Sequence, residues 1–456
     1  MNDLVKLKKI LTLRTIIATS AGLTLSSSTF VAAVQVAGFL VGDAAWLAIL
    51  TGGLLCMTAA LCFSELNGMI PSAAGIRLYF NHAFNDRLAL TVSLLYMAVI
   101  MGVIGAESYI LAEILHEAFP LISPLAWILV MFTVVTGMNI VGIRIAGWFQ
   151  DAITYGLMVT LISLAVIGLA KIDFQLSAPL ATGGAVNLLN AVAVGVFLFV
   201  GFEWVTPLAE EVTHSRLISR GMLLAIGILS VVYAVFTVAM TATVPRESLV
   251  NSPIPQMLFA QTILGDTGTA IMVMLTLAAS ITTFNAGLIG ISRFVYASAR
   301  EHVLPSIFSK ISLRFFTPWV AVLSIFVIGV LISLLTLFSH RYLVLVNMAA
   351  AMESVIYVLA GLAVIVLRKK MPDAQRPYRI RGGYIIPAAS ALIFSLLALA
   401  IFTTFPRVFL YLGLGMLLSY WYVTRVVPRL KQLQRQKRAS GRRRRRPVAH
   451  AEKQGD

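Results

Sequence analysis

The chain has 456 residues, of which 59% are hydrophobic and only 12% are charged. Soluble domains carry about a quarter charged residues, so this composition excludes an ordinary soluble protein, and it excludes collagen-like, disordered and coiled-coil chains as well. The formal net charge of +16 comes mostly from residues 425–456, where 12 Lys and Arg stand against Glu452 and Asp456. The basic balance therefore belongs to a tail and does not indicate a nucleic-acid-binding domain.

Twelve stretches of the sequence are apolar enough to cross a bilayer, which takes about 20 residues of helix. In chain order they lie at about 15–41, 44–69, 87–115, 124–142, 149–170, 187–212, 219–244, 267–297, 317–339, 342–368, 387–406 and 407–427. We therefore predict an all-α integral membrane protein with twelve transmembrane helices. Its parts are a cytoplasmic N-terminus at 1–14, a first half at 15–212, helices seven to twelve at 213–427 and a basic cytoplasmic tail at 428–456.

The basic residues divide unevenly between the two sides of this predicted bundle. With the N-terminus in the cytoplasm, 31 Lys and Arg lie on the inner side and 4 on the outer side, and without the tail the division is still 19 to 4. Cytoplasmic loops of membrane proteins carry this excess. We therefore expect a multi-pass protein of the cell inner (cytoplasmic) membrane with both termini in the cytoplasm.

The basic tail predicts a contact with the membrane surface. Arg425 to Arg446 directly follows the last span, and such juxtamembrane clusters bind anionic lipid. A partner or nucleic-acid site on Arg442 to Arg446 is the alternative, and we favour the lipid bilayer over nucleic acid.

Membrane enzymes, pumps and channels fit the sequence less well than transporters do. The six histidines lie at helix ends, in loops or in the tail, and no HExxH, GxSxG or Walker motif occurs. Channels usually have fewer spans or a repeated pore loop. We therefore predict a transporter with no enzymatic activity, no metal site and no cofactor apart from a possible coupling ion.

Two spans contain residues that disfavour a continuous helix. In span one, Gly22 is followed by the hydroxyl-bearing run 26–29, whose side chains can bond the backbone and loosen the helix. A packed small-residue interface is the alternative for this run. In span six, Gly201 stands next to Glu203 and ahead of Pro207. Breaks in spans one and six suit two five-helix halves in inverted orientation, with two additional helices at the end.

Several blocks of residues are familiar as a set. They are Phe63-Ser-Glu-Leu66 with Ile70-Pro-Ser-Ala-Ala-Gly75 and Tyr79, Asn139-Ile-Val-Gly142, Phe199-Val-Gly-Phe-Glu203 with Ala209-Glu-Glu-Val212, and Ser292-Arg293 with Arg300 and Leu304-Pro305. On these blocks the chain resembles the amino acid–polyamine–organocation superfamily of permeases over about residues 12–425. The blocks are specific to the superfamily and not to a substrate.

The resemblance implies a LeuT-like inverted-repeat fold and transport by alternating access. Substrate is then held between the unwound parts of helices one and six, where helix-end amides bind a carboxylate and where carbonyls and acids take an amine. The substrate-binding candidates are Gly22, Ser26, Ser27, Ser28, Phe197, Val200, Gly201 and Glu203. In span one the family usually has GSGIF, whereas this chain has Ser26-Ser-Ser-Thr-Phe30, so the carboxylate cradle is expected to differ in shape.

Three acids, Glu107, Glu203 and Glu353, lie well inside predicted spans, with no basic residue at comparable depth. Each must be protonated, hydrogen-bonded or exposed to a watery path that holds a cation. We expect Glu203 to meet a substrate amine or a coupling proton, with a structural hydrogen bond to the broken backbone as the alternative. Glu107 and Glu353 are candidates for a gate or for coupling, and helix packing is an equal alternative for Glu353.

The sequence does not decide whether transport is coupled to H⁺ or to Na⁺. Uniport and exchange, which need no coupling ion, are further alternatives. Thr282 and Thr283 offer hydroxyls for a sodium ion, although such residues are common in helix packing. The resemblance also implies a comparison with proton-coupled members of the superfamily, some of which have a Lys in span five that replaces a sodium ion. Here span five has no Lys before Lys171, and the equivalent position is about Leu157.

These observations predict a permease for an amino acid or a related amine, with a cationic amino acid or polyamine favoured. A neutral amino acid permease or exchanger is the first alternative. A transporter-like sensor or a subunit that requires a partner chain is the alternative of another class. We expect a small-molecule amino acid or amine substrate and a monomer or homodimer.

Overall fold

The computed structural model describes residues 7–25, 42–173, 184–252 and 255–445. These ranges are built from helices, joined by turns and short loops. The α-helices are α1 (Leu13–Thr24), α2 (Ala45–Met69), α3 (Gly75–Ala83), α4 (Asp86–Ala118), α5 (Pro124–Val141), α6 (Ile143–Lys171), α7 (Gly184–Phe197), α8 (Arg216–Thr243), α9 (Arg246–Asn251), α10 (Pro255–Leu264), α11 (Asp266–Arg300), α12 (Trp319–Ser339), α13 (Tyr342–Lys370), α14 (Ile385–Thr404) and α15 (Pro406–Arg445). Short 3-10 helices lie at Gly42–Ala44, Phe202–Glu210 and Ser306–Ser309.

Ten of the described helices are long and apolar enough to cross a membrane, namely α2, α4, α5, α6, α8, α11, α12, α13, α14 and α15. They match the ten predicted spans in which no break was predicted. Their outer faces are apolar, as the exposed Leu392, Leu396 and Leu399 on one side of α14 illustrate. A helix that is apolar all round is buried in protein or in lipid, so the all-α membrane architecture is confirmed.

The predicted break in span six is present. Helix α7 ends at Phe197, a turn follows, and the chain resumes as the 3-10 helix Phe202–Glu210. Gly201 has φ +102°, in the left-handed region that glycine adopts at little cost. Pro207 further along lacks the N–H that a regular helix would need.

The structure describes only the first part of span one, and this part is helical. Helix α1 ends at Thr24, and Ser26, Ser27 and Ser28 lie outside the described residues. The predicted break at these serines therefore stays a prediction.

Spans one and six lie side by side. The Ser20 hydroxyl of α1 donates to the Phe202 carbonyl across 3.0 Å. Ahead of α1, the backbone N–H groups of Ile10 and Leu11 donate to the Glu211 carbonyl at 2.9 and 3.0 Å. The start of span one is thereby tied to the end of span six, as expected when the first helices of two inverted halves pack together.

The last helix is longer than the sequence predicted. Span twelve was predicted to end near residue 427, whereas α15 continues to Arg445. Arg, Lys and Gln fill these extra turns and are good helix formers, so the basic tail begins as a helix and not as a loop. The 18 residues from 428 to 445 add about 27 Å to the helix.

The predicted orientation can be measured directly. A reporter fused after residue 84, between α3 and α4, is expected to read as cytoplasmic, and one after residue 120, between α4 and α5, as external. The reason is the positive-inside distribution. The opposite readings at both sites would overturn the assignment of sides.

Candidate functional site

A small cavity lies where α1 ends beside the break in span six. Its volume is about 50 Å³, room for one or two waters, since a water takes about 30 Å³ in the liquid. The cavity brings together four of the predicted site residues, Glu107, Val200, Thr283 and Glu353, with Thr24 at the end of α1. Apolar side chains of α4 and α13 complete its walls.

Two acidic side chains line the cavity. Glu107 on α4 and Glu353 on α13 are both only 2% exposed. The lining residues that the structure describes include no Lys, Arg or His. Glu353 Oε2 is buried without a hydrogen-bond partner among the described residues. The C-terminal end of α1, with its partial negative charge, also borders the cavity at Thr24. The arrangement suits a cation.

Glu203 does not line this cavity and is fully buried. Its Oε2 accepts a hydrogen bond from the Tyr357 hydroxyl at 2.6 Å, and its Oε1 accepts one from the Tyr96 hydroxyl. The Tyr357 oxygen in turn accepts from the Gly201 backbone N–H at 3.1 Å. Both oxygens of the Glu203 carboxyl group are therefore engaged by tyrosines from α4 and α13, and the broken backbone is held through Tyr357.

Aromatic side chains pack around Glu203. The Phe202 ring lies 5.3 Å from Tyr357 and 6.1 Å from Phe63, and Tyr96 lies 4.7 Å from Trp204, between ring centroids. We call Phe63, Tyr96, Phe202, Trp204 and Tyr357 the aromatic plug.

Two other aromatics near the break were singled out from the sequence. Phe199 is buried and packs on Tyr233 of α8, with ring centroids 5.8 Å apart. Phe197 is the last residue of α7, and its side chain lies outside what the structure describes.

Beyond the plug, a fully buried ion pair joins the end of span six to α11. Arg293 Nε lies 2.8 Å from Glu211 Oε2, and both side chains are 0% exposed. A second pair, Arg300 with Glu210, is partly exposed. Because the Glu211 carbonyl also accepts from the segment ahead of α1, these contacts fasten that segment, the end of span six and α11 together.

The other motif residues also lie away from the cavity. Glu65 of α2 accepts from the Arg368 guanidinium at 2.6 and 2.8 Å and from the Ile380 backbone N–H at 2.9 Å. Asn139 donates to Asn285 at 2.8 Å. The residues that carry the resemblance therefore maintain the framework around the site, and this is why they do not reveal the substrate.

The predicted coupling threonines face α1. The Thr283 hydroxyl donates to the Gly22 carbonyl at 2.9 Å, and the Thr282 hydroxyl lies 2.9 Å from that of Thr154 on α6. A Cβ added at Gly22 would come within 1.9 Å of Gln150 Nε2, so this position has no room for a side chain.

A side-chain amide fills the junction between α1, α6 and α11. Gln150 Nε2 donates to the Ala18 carbonyl at 3.2 Å and also to Thr282 Oγ1. Gln150 Oε1 accepts from Asn285 at 2.8 Å. That Leu157 is equivalent to the Lys of some proton-coupled relatives stays a prediction. Sequence reasoning missed Gln150, Tyr96 and Tyr357, because only tertiary contacts distinguish them from other polar residues in apolar spans.

The conformation of Gly201 provides a test of the break. In Gly201→Ala, the new Cβ would sit at a positive φ and only 2.7 Å from Leu23 Cδ2 of α1. We expect the free energy of unfolding to fall by about 1–3 kcal/mol, with loss of transport. Gly413→Ala, at a helical glycine with nothing within 4 Å, is the matched control and should be neutral or slightly stabilising. Equal stability of the two variants would contradict the strained turn.

A family model described as amino acid permease matches residues 11–426. The methylthioribose transporter of Bacillus subtilis (strain 168) is 24% identical over 398 residues, covering 81% of this chain and 83% of the relative. The branched-chain amino acid permease of the same organism is 23% identical over 409 residues, which cover 84% of this chain and 86% of the relative. The human large neutral amino acids transporter small subunit 2 is 27% identical over 373 residues, which cover 75% of this chain and 67% of the relative.

Proposed function

We propose that this chain, which belongs to the amino acid permease family, carries a cationic amino acid or a related amine across the cytoplasmic membrane. Family membership confirms the resemblance seen in the sequence and the prediction of a transporter that is not an enzyme. The cationic preference is our inference. The observation that carries it is a central cavity with two buried carboxyl groups and no basic residue among the described lining residues.

The energetics of burial support the cationic preference. A buried carboxylate is costly unless a positive charge or hydrogen bonds compensate it. Glu353 Oε2 has no hydrogen-bond partner among the described residues, so a substrate ammonium can supply the missing interaction. The ammonium would gain from the negative end of α1 as well.

The aromatic plug suggests how the carrier alternates. In this proposal Tyr96 and Tyr357, which both donate to Glu203, form the barrier between the cavity and the cytoplasm. Tyr357 lies one helical turn from Glu353 on α13, so a substrate bound at Glu353 acts on the helix that carries half of this seal. Release to the cytoplasm requires both tyrosines to leave Glu203 and the Glu211–Arg293 region to part. The substrate carboxylate would meet free amides at the predicted break in span one, which lies outside the described residues.

A neutral substrate is the second candidate, favoured by the apolar part of the cavity. Leu23, Ile100, Val103 and Ile104 lie on its walls and would accommodate an apolar side chain. Two of the relatives are named for branched-chain and large neutral amino acids. In that case Glu107 and Glu353 would be protonated and would serve as hydrogen-bond donors.

A thermal-shift screen of the purified protein separates the two candidates, because a ligand stabilises the state that it binds. Arginine, agmatine and putrescine are expected to raise the melting temperature. A rise with leucine or isoleucine alone would favour the neutral candidate.

We propose that the carrier works without sodium. The Gln150 amide nitrogen, a donor that cannot coordinate a cation, lies among the oxygens of Ala18, Thr154 and Thr282 where three spans meet. Substrate uptake into liposomes is therefore expected to be unchanged when Na⁺ is replaced by choline. An uptake that falls tenfold without Na⁺ would contradict this. A proton, carried by a buried acid, then remains the candidate for coupling.

A further inference from the structure

A groove separate from the central cavity lies between the start of α1 and the start of α6. Its volume is about 440 Å³, and its polar and aromatic walls are Arg14, Arg144, Trp148 and Asp151. By the distribution of basic residues, these helix ends lie on the cytoplasmic side. Ile10 and Leu11, which bond the Glu211 carbonyl, also line the groove, whereas the described lining of the central cavity shares no residue with it.

The groove opens towards lipid. Ile145, Trp148 and Val159 are exposed on the outer face of α6, and Trp148 is 69% exposed. An apolar helix face of a membrane protein meets lipid, and tryptophan is enriched at the membrane–water boundary. Trp148 therefore places the groove at the level of the headgroups of the inner leaflet.

The groove presents charges to this boundary. Arg144 is exposed at the start of α6, where the helix end adds partial positive charge. The Arg14 side chain is 64% exposed, and its Nε lies 3.3 Å from Asp151 Oδ2. Asp151 Oδ1 is buried without a hydrogen-bond partner among the described residues. The groove thus offers cations for a phosphate and, next to them, one free acceptor.

We propose that this groove binds the headgroup of an inner-leaflet phospholipid that carries an N–H or O–H donor. The phosphate pairs with Arg144 and Arg14, and the headgroup ammonium or hydroxyl donates to Asp151 Oδ1. Basic pockets between helices on the cytoplasmic side are known to bind lipid headgroups. Bound lipid links the start of α1 to α6 and steadies the helix whose other end borders the central cavity.

The test uses the full chain, in which the basic tail is the same in the parent and in every variant. Lipid binding is measured by native mass spectrometry and by thermal shift in detergent, with phosphatidylglycerol, phosphatidylethanolamine, phosphatidylcholine and inorganic phosphate as separate probes. We expect binding of the first two lipids and at least fivefold weaker binding of phosphatidylcholine, which has the phosphate but no headgroup donor. Inorganic phosphate is expected to cause no shift.

Substitutions of single arginines test whether the lipid binds in this groove. Arg144→Gln is expected to weaken phosphatidylglycerol binding roughly fivefold, and Arg144→Lys is expected to retain most of it. Arg216→Gln, at an exposed cytoplasmic Arg at the start of α8, is the matched control and should bind like the parent. Parent-like binding by Arg144→Gln would overturn the proposal. Equal binding of phosphatidylcholine, or an equal shift with inorganic phosphate, would overturn it too.

Discussion

Glu353→Gln is expected to weaken binding of a cationic substrate by about 2–5 kcal/mol, the usual cost of removing one partner of a buried charge pair. This corresponds to a loss of affinity of about 30-fold to several thousandfold, at about 1.4 kcal/mol per factor of ten. The amide keeps the size of the side chain and removes the negative charge that faces the cavity. Binding of labelled arginine to the purified variant measures the effect.

Two controls make the Glu353 result specific. Ser354→Ala changes the neighbouring buried residue, whose hydroxyl bonds only to its own helix at Ala350, and it should bind like the parent. Leucine binding, if the parent shows any, should not fall in Glu353→Gln. Unchanged arginine affinity in a folded Glu353→Gln protein would show that this carboxyl group does not recognise the substrate.

Arg293→Ala is expected to lower the free energy of unfolding by about 3–5 kcal/mol, because it leaves Glu211 as a buried charge without its partner. Both side chains of this pair are 0% exposed. Arg300→Ala breaks the partly exposed pair with Glu210 and is expected to cost only about 0–1 kcal/mol. Denaturant unfolding in one detergent compares the two variants directly.

A double variant tests whether the loss of stability in Arg293→Ala comes from the unpaired charge of Glu211. Arg293→Met combined with Glu211→Leu removes both charges and should recover much of the stability, since apolar replacement of a buried pair is often neutral. If Arg293→Ala proves no more destabilising than Arg300→Ala, the buried pair does not hold span six and α11 together.

The transmembrane helices could be predicted because they depend on local properties of the chain. Span length follows from runs of apolar residues, and the break at Gly201 follows from a glycine beside an acid and ahead of Pro207. The length of α15 was underestimated, because the end of the apolar run marks the membrane boundary and not the end of a helix of good helix formers.

The site was predicted only in part, because its contacts join residues far apart in the chain. Glu107, Val200, Thr283 and Glu353 do border one cavity. Glu203, however, is held by Tyr96, which precedes it by 107 residues, and by Tyr357, which follows it by 154. A sequence pattern contains no information on such pairing in the absence of the fold.

The position of Gln150 illustrates the same limit. Gln150 is one of several polar residues in an otherwise apolar helix, and its place in the sequence does not show which helices it contacts. Only the packing of α6 against α1 and α11 identifies which turn faces the Ala18 carbonyl.

The most direct test of the central proposal is uptake by liposomes that contain this chain alone. The account predicts that labelled arginine enters and exchanges with internal arginine, that unlabelled agmatine or putrescine competes, and that equal concentrations of leucine do not. It also predicts that Glu353→Gln, reconstituted to the same density, loses this uptake. Uptake of leucine with no competition by any cationic compound, and with Glu353→Gln equal to the parent, would contradict the account.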